Sequence, residues 1–199
     1  MNKTTKSLTM DEYKTFISTA LEGFSYTTED GKEHKFRRNE RLVMILQTEA
    51  VTFMRIGDVL NMTLNSIVKD GNTYRLDVVE QKTGKARKFE VSKELYTALR
   101  EYALNHGIKR TEKLFPVTER SVQKQIAIVA DHLGMSNIST HSFRKTAATN
   151  LYETSNYDIE LVREMLQHAS TVTTQRYIAR SSKMIKEASK QATDTFLIA

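Results

Sequence analysis

The C-terminal third of the sequence holds several polar side chains of types that can do chemistry. His141 and Arg144 are three residues apart, so they share one face at the start of a predicted helix. His168 follows about two dozen residues later, and Tyr177 stands nine residues after it. Histidine exchanges a proton near neutral pH, arginine presents a charged fork to two oxygens, and a tyrosine hydroxyl can act as a nucleophile. The start of the predicted helix also offers free N–H groups to an anion, so we expect a site for chemistry in this segment.

Two motifs further upstream could add positive charge to this site. The first is Arg55-Ile56-Gly57-Asp58-Val59, and the second is Gln81-Lys82-Thr83-Gly84-Lys85 at a predicted turn. Taken alone, each motif has an ordinary interpretation. The arginine would be buried and paired with the aspartate, and the two lysines would be solvated turn residues. On the same ordinary interpretation, His168 would be a helix cap, His141 a buried histidine with its hydrogen bonds satisfied, and Tyr177 a half-buried tyrosine.

In this order, the motifs together resemble those of the tyrosine recombinases, the phage integrase family, over residues 9–189. The six catalytic residues that the resemblance implies are Arg55, Lys82, His141, Arg144, His168 and Tyr177. Two positions depart from the usual family pattern, with Gln167 in place of Gly and Lys145 in place of a frequent His. A side chain at position 167 restricts the backbone next to His168.

The resemblance also implies a reaction. Tyr177 would attack a DNA phosphodiester, giving a 3′-phosphotyrosyl link and a free 5′-hydroxyl. Arg55 and Arg144 would meet the negative charge of the transition state. Lys82 would protonate the departing 5′-oxygen, and Lys85 is a rival for that role. Because the covalent link conserves the energy of the phosphodiester, we expect no ATP as a cofactor. We also expect no metal ion, because the histidines form no metal-binding pair and the two arginines would supply the positive charge.

Four residues around the implied catalytic set have expected supporting roles. Asp58 would orient Arg55 or a neighbouring strand rather than react. Lys85, Arg87 and Lys145 would contact DNA phosphates.

The composition excludes several other classes of protein. The chain has 199 residues, of which 39% are hydrophobic and 27% charged, so a packed domain is expected and intrinsic disorder is not. It contains no cysteine, which rules out disulfides, thiolate nucleophiles and cysteine-ligated metals. The five histidines form no metal-binding pair, and no glycine-rich nucleotide loop is present. A net charge of +6 favours a polyanionic partner.

The pattern of apolar residues predicts a mainly α fold with a small three-stranded antiparallel sheet, an α+β class that agrees with the catalytic domain of the resembled family. Helices are predicted over 10–22, 39–54, 55–61, 142–154, 158–167 and 171–179, with two more between Ser92 and Gly134 and a last one from Ser182 towards 193. The predicted strands cover 64–69, 73–80 and 86–91, after a hairpin or loop that turns at Asp30-Gly31.

We expect one catalytic domain over residues 1–199, with a core of about 9–180 and a tail of 181–199. The separate N-terminal core-binding domain usual in the family is expected to be absent. The expected partners are double-stranded DNA and further copies of the chain, docked through the tail in a tetrameric synapse. No membrane segment is expected, and the expected location is the cytoplasm of a bacterium or phage host.

Two alternative functions remain open from the sequence. The first is a type IB topoisomerase-like nicking and relaxing activity, since the same site can religate the original strand. The second is a DNA-binding regulator that keeps the fold without turnover.

Overall fold

Helices and two small antiparallel sheets alternate along the chain in the computed structural model, which describes residues 5–28, 30–178, 189–190 and 193–195. In chain order, the elements are α1 (Met10–Glu22), β1 (Gly23–Thr27), β2 (Glu33–Arg37), α2 (Glu40–Thr52), α3 (Ile56–Leu60), a 3₁₀ turn (Leu64–Ser66), β3 (Ile67–Asp70), β4 (Thr73–Val79), β5 (Ala86–Val91), α4 (Lys93–Asn105), α5 (Glu119–His132), α6 (Thr140–Thr154), α7 (Ile159–Leu166) and α8 (Thr171–Tyr177). One sheet pairs β1 with β2, and the other has the order β3-β4-β5. The predicted mainly helical fold with a small three-stranded sheet is confirmed.

Short polar residues set the starts of the helices. Thr9 and Glu12 form a capping box at α1, in which each amide donates to the other side chain, at 3.1 and 2.8 Å. At α6, the Ser139 amide donates to Ser142 Oγ at 3.1 Å. Because α6 begins at Thr140, His141 and Arg144 fall in its first two turns.

The three-stranded sheet begins later than the sequence predicts. A strand was expected over 64–69, but Leu64–Ser66 form a 3₁₀ turn and β3 begins at Ile67. The Thr63 amide donates to the hydroxyl of the serine in this turn at 3.0 Å. Such local side-chain bonds to the backbone compete with strand pairing.

Helix α2 runs through the main hydrophobic core. Its Leu42, Ile45 and Leu46 are buried, as are Phe16 of α1 and Phe143 of α6. The two phenyl rings meet edge to face, with centroids 5.0 Å apart. Burial of each such side chain contributes about 1.5–3 kcal/mol, so α2 is held firmly between α1 and α6.

A smaller apolar cluster lies between α6, α7 and α8. Its buried members are Ala148, Val162, Leu166 and Ile178. Phe53, which follows α2, and Tyr177, the last residue of α8, both pack against this cluster. The cluster therefore brings Tyr177 close to the C-terminal end of α2.

The predicted last helix, from Ser182 towards 193, lies mostly outside the described residues. Of that segment and the tail, residues 189–190 and 193–195 are described and are helical. No helix within the described ranges is long and apolar enough to cross a membrane.

Candidate active site

Arg55 is paired with a buried glutamate at the end of β4. Arg55 Nη1 donates to Glu80 Oε2 at 2.6 Å, and Glu80 has no exposed surface. Glu80 Oε1 accepts two further bonds from Arg87, from Nε at 3.1 Å and from Nη2 at 2.8 Å. Burial raises the pKa of Glu80, but the bonds from Arg87, Thr83 and Arg55 outweigh it, so the pKa lies below its ordinary value. Glu80 is therefore an ionised carboxylate between two arginines.

Asp58 does not pair with Arg55, contrary to one of the two roles expected for it. Its Oδ1 instead accepts a hydrogen bond from the Gln81 amide at 2.9 Å. Asp58 is buried on α3, so this bond ties the helix to the residue that precedes Lys82. The other expected role, orientation of a neighbouring strand, stays a prediction, and this bond to the residue after Glu80 supports it.

Arg144 is held by two backbone carbonyls at the ends of helices. Its Nε donates to Phe53 O at 2.7 Å, and its Nη2 donates to Leu166 O at 2.9 Å. Phe53 follows α2 with φ of 54°, and Gln167 follows α7 with φ of 52°. Carbonyls at a helix C-terminus lack intrahelical partners and carry partial negative charge, which suits an arginine. Neither bond uses Nη1 of Arg144.

Arg87 binds the backbone carbonyls of the residues that directly precede Phe53 and Leu166. Its Nη1 donates to Thr52 O at 3.1 Å and to Met165 O at 2.8 Å. The Arg87 side chain has no exposed surface. This position contradicts the predicted DNA contact of Arg87, because a guanidinium with all its donors turned inward cannot reach a phosphate on the protein surface.

Tyr177 lies between Arg144 and His168. The Arg144 guanidinium carbon is 5.7 Å from the centroid of the Tyr177 ring, and the His168 ring meets it edge to face at 5.3 Å. The Tyr177 hydroxyl is buried and has no partner with hydrogen-bond geometry among the described residues. Burial raises the pKa of Tyr177 to about 12, although the charge of Arg144 acts in the opposite direction. The phenol is therefore protonated at neutral pH.

His168 is a neutral imidazole in this environment. Its Nδ1 lies 3.1 Å from Thr174 Oγ1 on α8. Burial lowers the pKa of His168 from 6.5 to about 4, and the charges of Arg144 and Arg55 act in the same direction. A neutral imidazole whose Nδ1 is engaged leaves Nε2 as the atom that can exchange a proton.

His141 and Lys82 lie at the edge of the group. His141 is exposed on the first turn of α6, and Lys82 is exposed on the turn between β4 and β5. Partial desolvation lowers the pKa of His141, and the charges of Arg144, Arg55 and Lys82 lower it further. Lys82 is thus close enough for its charge to act on His141, but among the described residues it makes no hydrogen bond to the other predicted site residues.

The remaining predicted DNA contacts have different surroundings. Lys85 is exposed on the same turn as Lys82. Lys145 Nζ donates to Thr5 O at 3.1 Å and so ties the N-terminal segment to α6. DNA contacts by Lys85 and Lys145 stay predictions.

Two buried acids at this site were missed by the sequence analysis, although a signal was present for each. Glu80 directly follows β4 and, like Leu76 four residues earlier in that strand, is buried, which continues the alternation of the strand. Glu49 falls at helical spacing with Ile45 and Leu46 on α2 and is fully buried. Within the described part of the chain, no three His, Asp or Glu side chains are grouped so that they could hold a metal ion.

The fold and sequence are similar to those of known recombinases. The chain is 29% identical over 168 residues to tyrosine recombinase XerC of Corynebacterium efficiens, covering 80% of this chain and 52% of that one. A crystal structure of XerH site-specific recombinase, a post-cleavage complex with palindromic difH substrate, matches with a TM-score of 0.69 and 19% identity over 92% of this chain and 51% of that one. A lambda integrase tetramer bound to a Holliday junction matches with a TM-score of 0.62 and 21% identity over 86% of this chain and 49% of that one.

The chain spans about half the length of these relatives. The sequence profile of the phage integrase family matches residues 6–184, a range that includes every predicted site residue. With its order of motifs, its fold and this match, the chain belongs to the phage integrase family.

Proposed function

We propose that this chain catalyses site-specific DNA recombination through a covalent tyrosine intermediate. The observation that carries the proposal is the position of Tyr177, whose ring lies against both Arg144 and His168. In the reaction, Tyr177 Oη forms a bond to phosphorus and the bond from phosphorus to the 5′-oxygen breaks. The products are a 3′-phosphotyrosyl link and a free 5′-hydroxyl.

The two arginines supply the charge that this reaction requires. Arg144 is anchored by neutral carbonyls, so its full positive charge remains available to the nonbridging oxygens of the phosphate. Arg55 lies at the start of α3 and keeps donors beyond the one that it gives to Glu80. Fixed cations of this kind stabilise the negative charge that develops in a phosphoryl transfer.

Different residues would take the proton from the attacking hydroxyl and give a proton to the departing oxygen. His168 is neutral at pH 7 and lies against the Tyr177 ring, so it can take the phenolic proton as the hydroxyl attacks. Lys82 would give a proton to the departing 5′-oxygen. Its turn is held by the bond from Thr83 Oγ1 to Glu80 at 2.9 Å and by the bond from Gln81 to Asp58.

DNA is proposed as substrate, and other copies of the chain as partners. The family relationship, the net charge of +6, and the DNA present in the related XerH and lambda integrase structures support this part of the proposal. Residues 9–180 would form the catalytic unit, and residues 181–199 would dock on a neighbouring copy within a tetramer. The protein would work in the cytoplasm, where bacterial DNA is found.

Covalent trapping tests the proposed function. The protein and its Tyr177→Phe variant are incubated with nicked duplexes drawn from a randomised pool, without metal, and run under denaturing conditions. A denaturant-resistant protein–DNA band is expected from the unmodified protein alone. Retarded but entirely non-covalent complexes would instead favour a DNA-binding regulator with this fold.

A further inference from the structure

Glu49 is a buried acid that the reaction above does not use. It lies on α2 with no exposed surface, and neither carboxylate oxygen has a hydrogen-bond partner among the described residues. An ionised carboxylate without a partner is strongly disfavoured in a protein interior. Burial raises the pKa of Glu49 well above its ordinary value, although the charge of Arg144 opposes this effect. Glu49 is therefore a neutral carboxylic acid, which can donate one hydrogen bond.

The surroundings of α2 put Glu49 in the same region of the molecule as Tyr177. Glu49 lies in the last turn of α2, four residues before Phe53, which directly follows the helix. Arg144 donates to the Phe53 carbonyl, and its guanidinium lies against the Tyr177 ring. Phe53 and Tyr177 also pack in the same apolar cluster. Electrostatics agrees with this placement, since a charge on Glu49 would raise the pKa of Tyr177.

We propose that protonated Glu49 donates a hydrogen bond to the phenolic oxygen of Tyr177 during cleavage and religation, a role that rests on the proposed function. The Glu49 carboxyl group and the Tyr177 hydroxyl are both buried and make no bond of hydrogen-bond geometry among the described residues, although Arg144 also lies close to the hydroxyl. The neutral acid is a donor, and the phenolic oxygen is an acceptor. Negative charge develops on this oxygen when it attacks and again when it leaves. A preorganised donor stabilises that charge in both directions.

The protons balance with Glu49 unchanged. The phenolic proton passes from Tyr177 to His168 during attack and returns during religation, while the Glu49 proton stays on Glu49. Because the acid is neutral, it does not cancel the charge that Arg144 presents to the phosphate. Glu49 is in this sense a catalytic residue that contacts a reacting atom without exchanging its own proton.

Ionisation of Glu49 should therefore slow cleavage. It would remove the donor and place a negative charge next to the phosphate. The groups whose charges act on Glu49 are Arg144 of α6, Glu119 at the start of α5 and Tyr177 of α8. Burial is the largest influence and favours the neutral acid, the charge of Glu119 acts in the same direction, and the charge of Arg144 opposes both, so Glu49 should lose its proton only well above the usual pKa range of a carboxyl group.

The test measures cleavage by Glu49→Gln and Glu49→Leu against pH, from about pH 6 to about pH 10. The probe is a nicked duplex that the unmodified protein has captured covalently from a randomised pool, remade with a bridging sulfur in place of the 5′-oxygen. Since a thiolate leaves without a proton, the alkaline limb then reports Glu49 and not Lys82. Glu153→Gln, which changes an exposed glutamate of α6, is the matched control.

We expect Glu49→Gln, which keeps a donor, to cleave at about the unmodified rate at neutral pH and to lack the fall at alkaline pH. Glu49→Leu should be slower by about 10²-fold, the usual loss for one preorganised donor. Leucine replaces an unpartnered buried polar group, so thermal unfolding should show no loss of stability. If Glu49→Leu nevertheless unfolds, the cleavage rate of Glu49→Gln at alkaline pH still tests the proposed role of Glu49.

Two results would overturn the role of Glu49. Equal loss in Glu49→Gln and Glu49→Leu at neutral pH would mean that a carboxylate, not a neutral donor, is required. An unmodified rate in Glu49→Leu would mean that Glu49 does not reach Tyr177. Failure of the unmodified protein to capture any duplex would overturn the proposed function itself, and the role of Glu49 with it.

Discussion

Arg55 and Arg144 carry the same charge but are anchored by different partners. Arg55 shares the carboxylate of Glu80 with Arg87, so two arginines and one glutamate leave one net positive charge. Arg144 is held by neutral carbonyls and keeps its whole charge. Arg144 should therefore contribute more than Arg55 to binding of the transition state.

We expect Arg144→Lys to slow covalent cleavage by about 10²-fold or more. A lysine has one compact ammonium, so it cannot hold the Phe53 and Leu166 carbonyls and also bind a phosphate. Single-turnover formation of the covalent complex measures the effect. Arg100→Lys, on the exposed side of α4, is the control and should retain the unmodified rate. Comparable rates for both variants would remove Arg144 from the site.

His168 should make folding stability depend on pH. Its pKa in the folded protein is about 4 against 6.5 unfolded, because of burial and then the charges of Arg144 and Arg55. Between these values the unfolded chain binds a proton that the folded protein does not, so stability falls as pH falls from about 6.5 to 4. His168→Asn should lose this part of the decline in thermal unfolding, whereas the exposed His34→Asn should keep it. An unchanged decline in His168→Asn would contradict the assignment.

The sequence was enough to predict the arginines and the tyrosine of the site, but not the two buried glutamates that lie near them. The recombinase resemblance named Arg55, Arg144 and Tyr177 because their motifs have fixed spacing. In the sequence, Glu80 and Glu49 each stand among apolar residues, a pattern that indicates a buried acid. The pattern does not show which residue that acid contacts. The partner depends on which elements pack together, and spacing along the chain does not determine that.

At the scale of elements, two helix ends and two arginines form one junction. Arg87 binds the carbonyls of Thr52 and Met165, and Arg144 binds those of the next residue in each helix end, Phe53 and Leu166. The junction fixes α7, and therefore His168 directly after it, against the end of α2. Arg87 thus supports the site from inside, where the sequence had predicted a contact with DNA.

Arg87→Met should lower the free energy of unfolding by about 3–5 kcal/mol, because it leaves Glu80 Oε1 and two backbone carbonyls without the partner that they have in the buried Arg87 side chain. The double variant Glu80→Gln with Arg87→Met should lose less than the sum of the single losses, since the two residues interact directly. Denaturant unfolding of the three variants measures this coupling. Strict additivity would show that the buried pair contributes nothing beyond its separate members.

Lys82 lies on an exposed turn, and its proposed role is to protonate the departing 5′-oxygen. A substrate whose leaving group needs no proton tests that role. We expect Lys82→Met to lose cleavage of an ordinary phosphodiester by about 10²-fold or more and to recover it when a bridging sulfur replaces the 5′-oxygen. Lys85→Met, three residues along the same turn, should cleave both substrates at about the unmodified rate. Reversed behaviour of the two variants would transfer the role to Lys85.

The elements themselves were largely predictable. The capping box and apolar spacing give α1 the predicted range of 10–22, which is where the structure places it. The strand predicted from residue 64 was wrong at its start, because a local serine bond forms a 3₁₀ turn there. Strand propensity and the alternation of apolar residues predict the body of a strand well. They do not account for side-chain hydrogen bonds to the backbone, which set where the strand begins.

At the scale of the whole molecule, the net charge and the proposed assembly bear on how the site would meet DNA. The chain carries a net charge of +6, and it spans about half the length of its relatives. The sequence predicted the family from the order of its motifs, and the match over residues 6–184 confirms that prediction. The target DNA sequence was not predictable, since base contacts depend on groove geometry that motif spacing does not contain.

The tail should act in assembly and not in chemistry. Truncation after residue 189 removes Phe196, Leu197 and Ile198, which are apolar and suited to burial against another copy. We expect the truncated protein to form the covalent complex but to lose higher-order complexes on DNA, seen as a smaller mass in sedimentation. Assembly on DNA that is unchanged by truncation would contradict docking of the tail on a neighbouring copy.

The most direct test of the account is to identify the amino acid that becomes linked to DNA. The trapped covalent complex is digested with protease and nuclease, and the peptide that retains a nucleotide is sequenced by mass spectrometry. We expect a single adduct, a 3′-phosphoryl group on the oxygen of Tyr177. An adduct on any other residue, or a trapped complex that persists in Tyr177→Phe, would contradict the assignment of Tyr177 as the nucleophile.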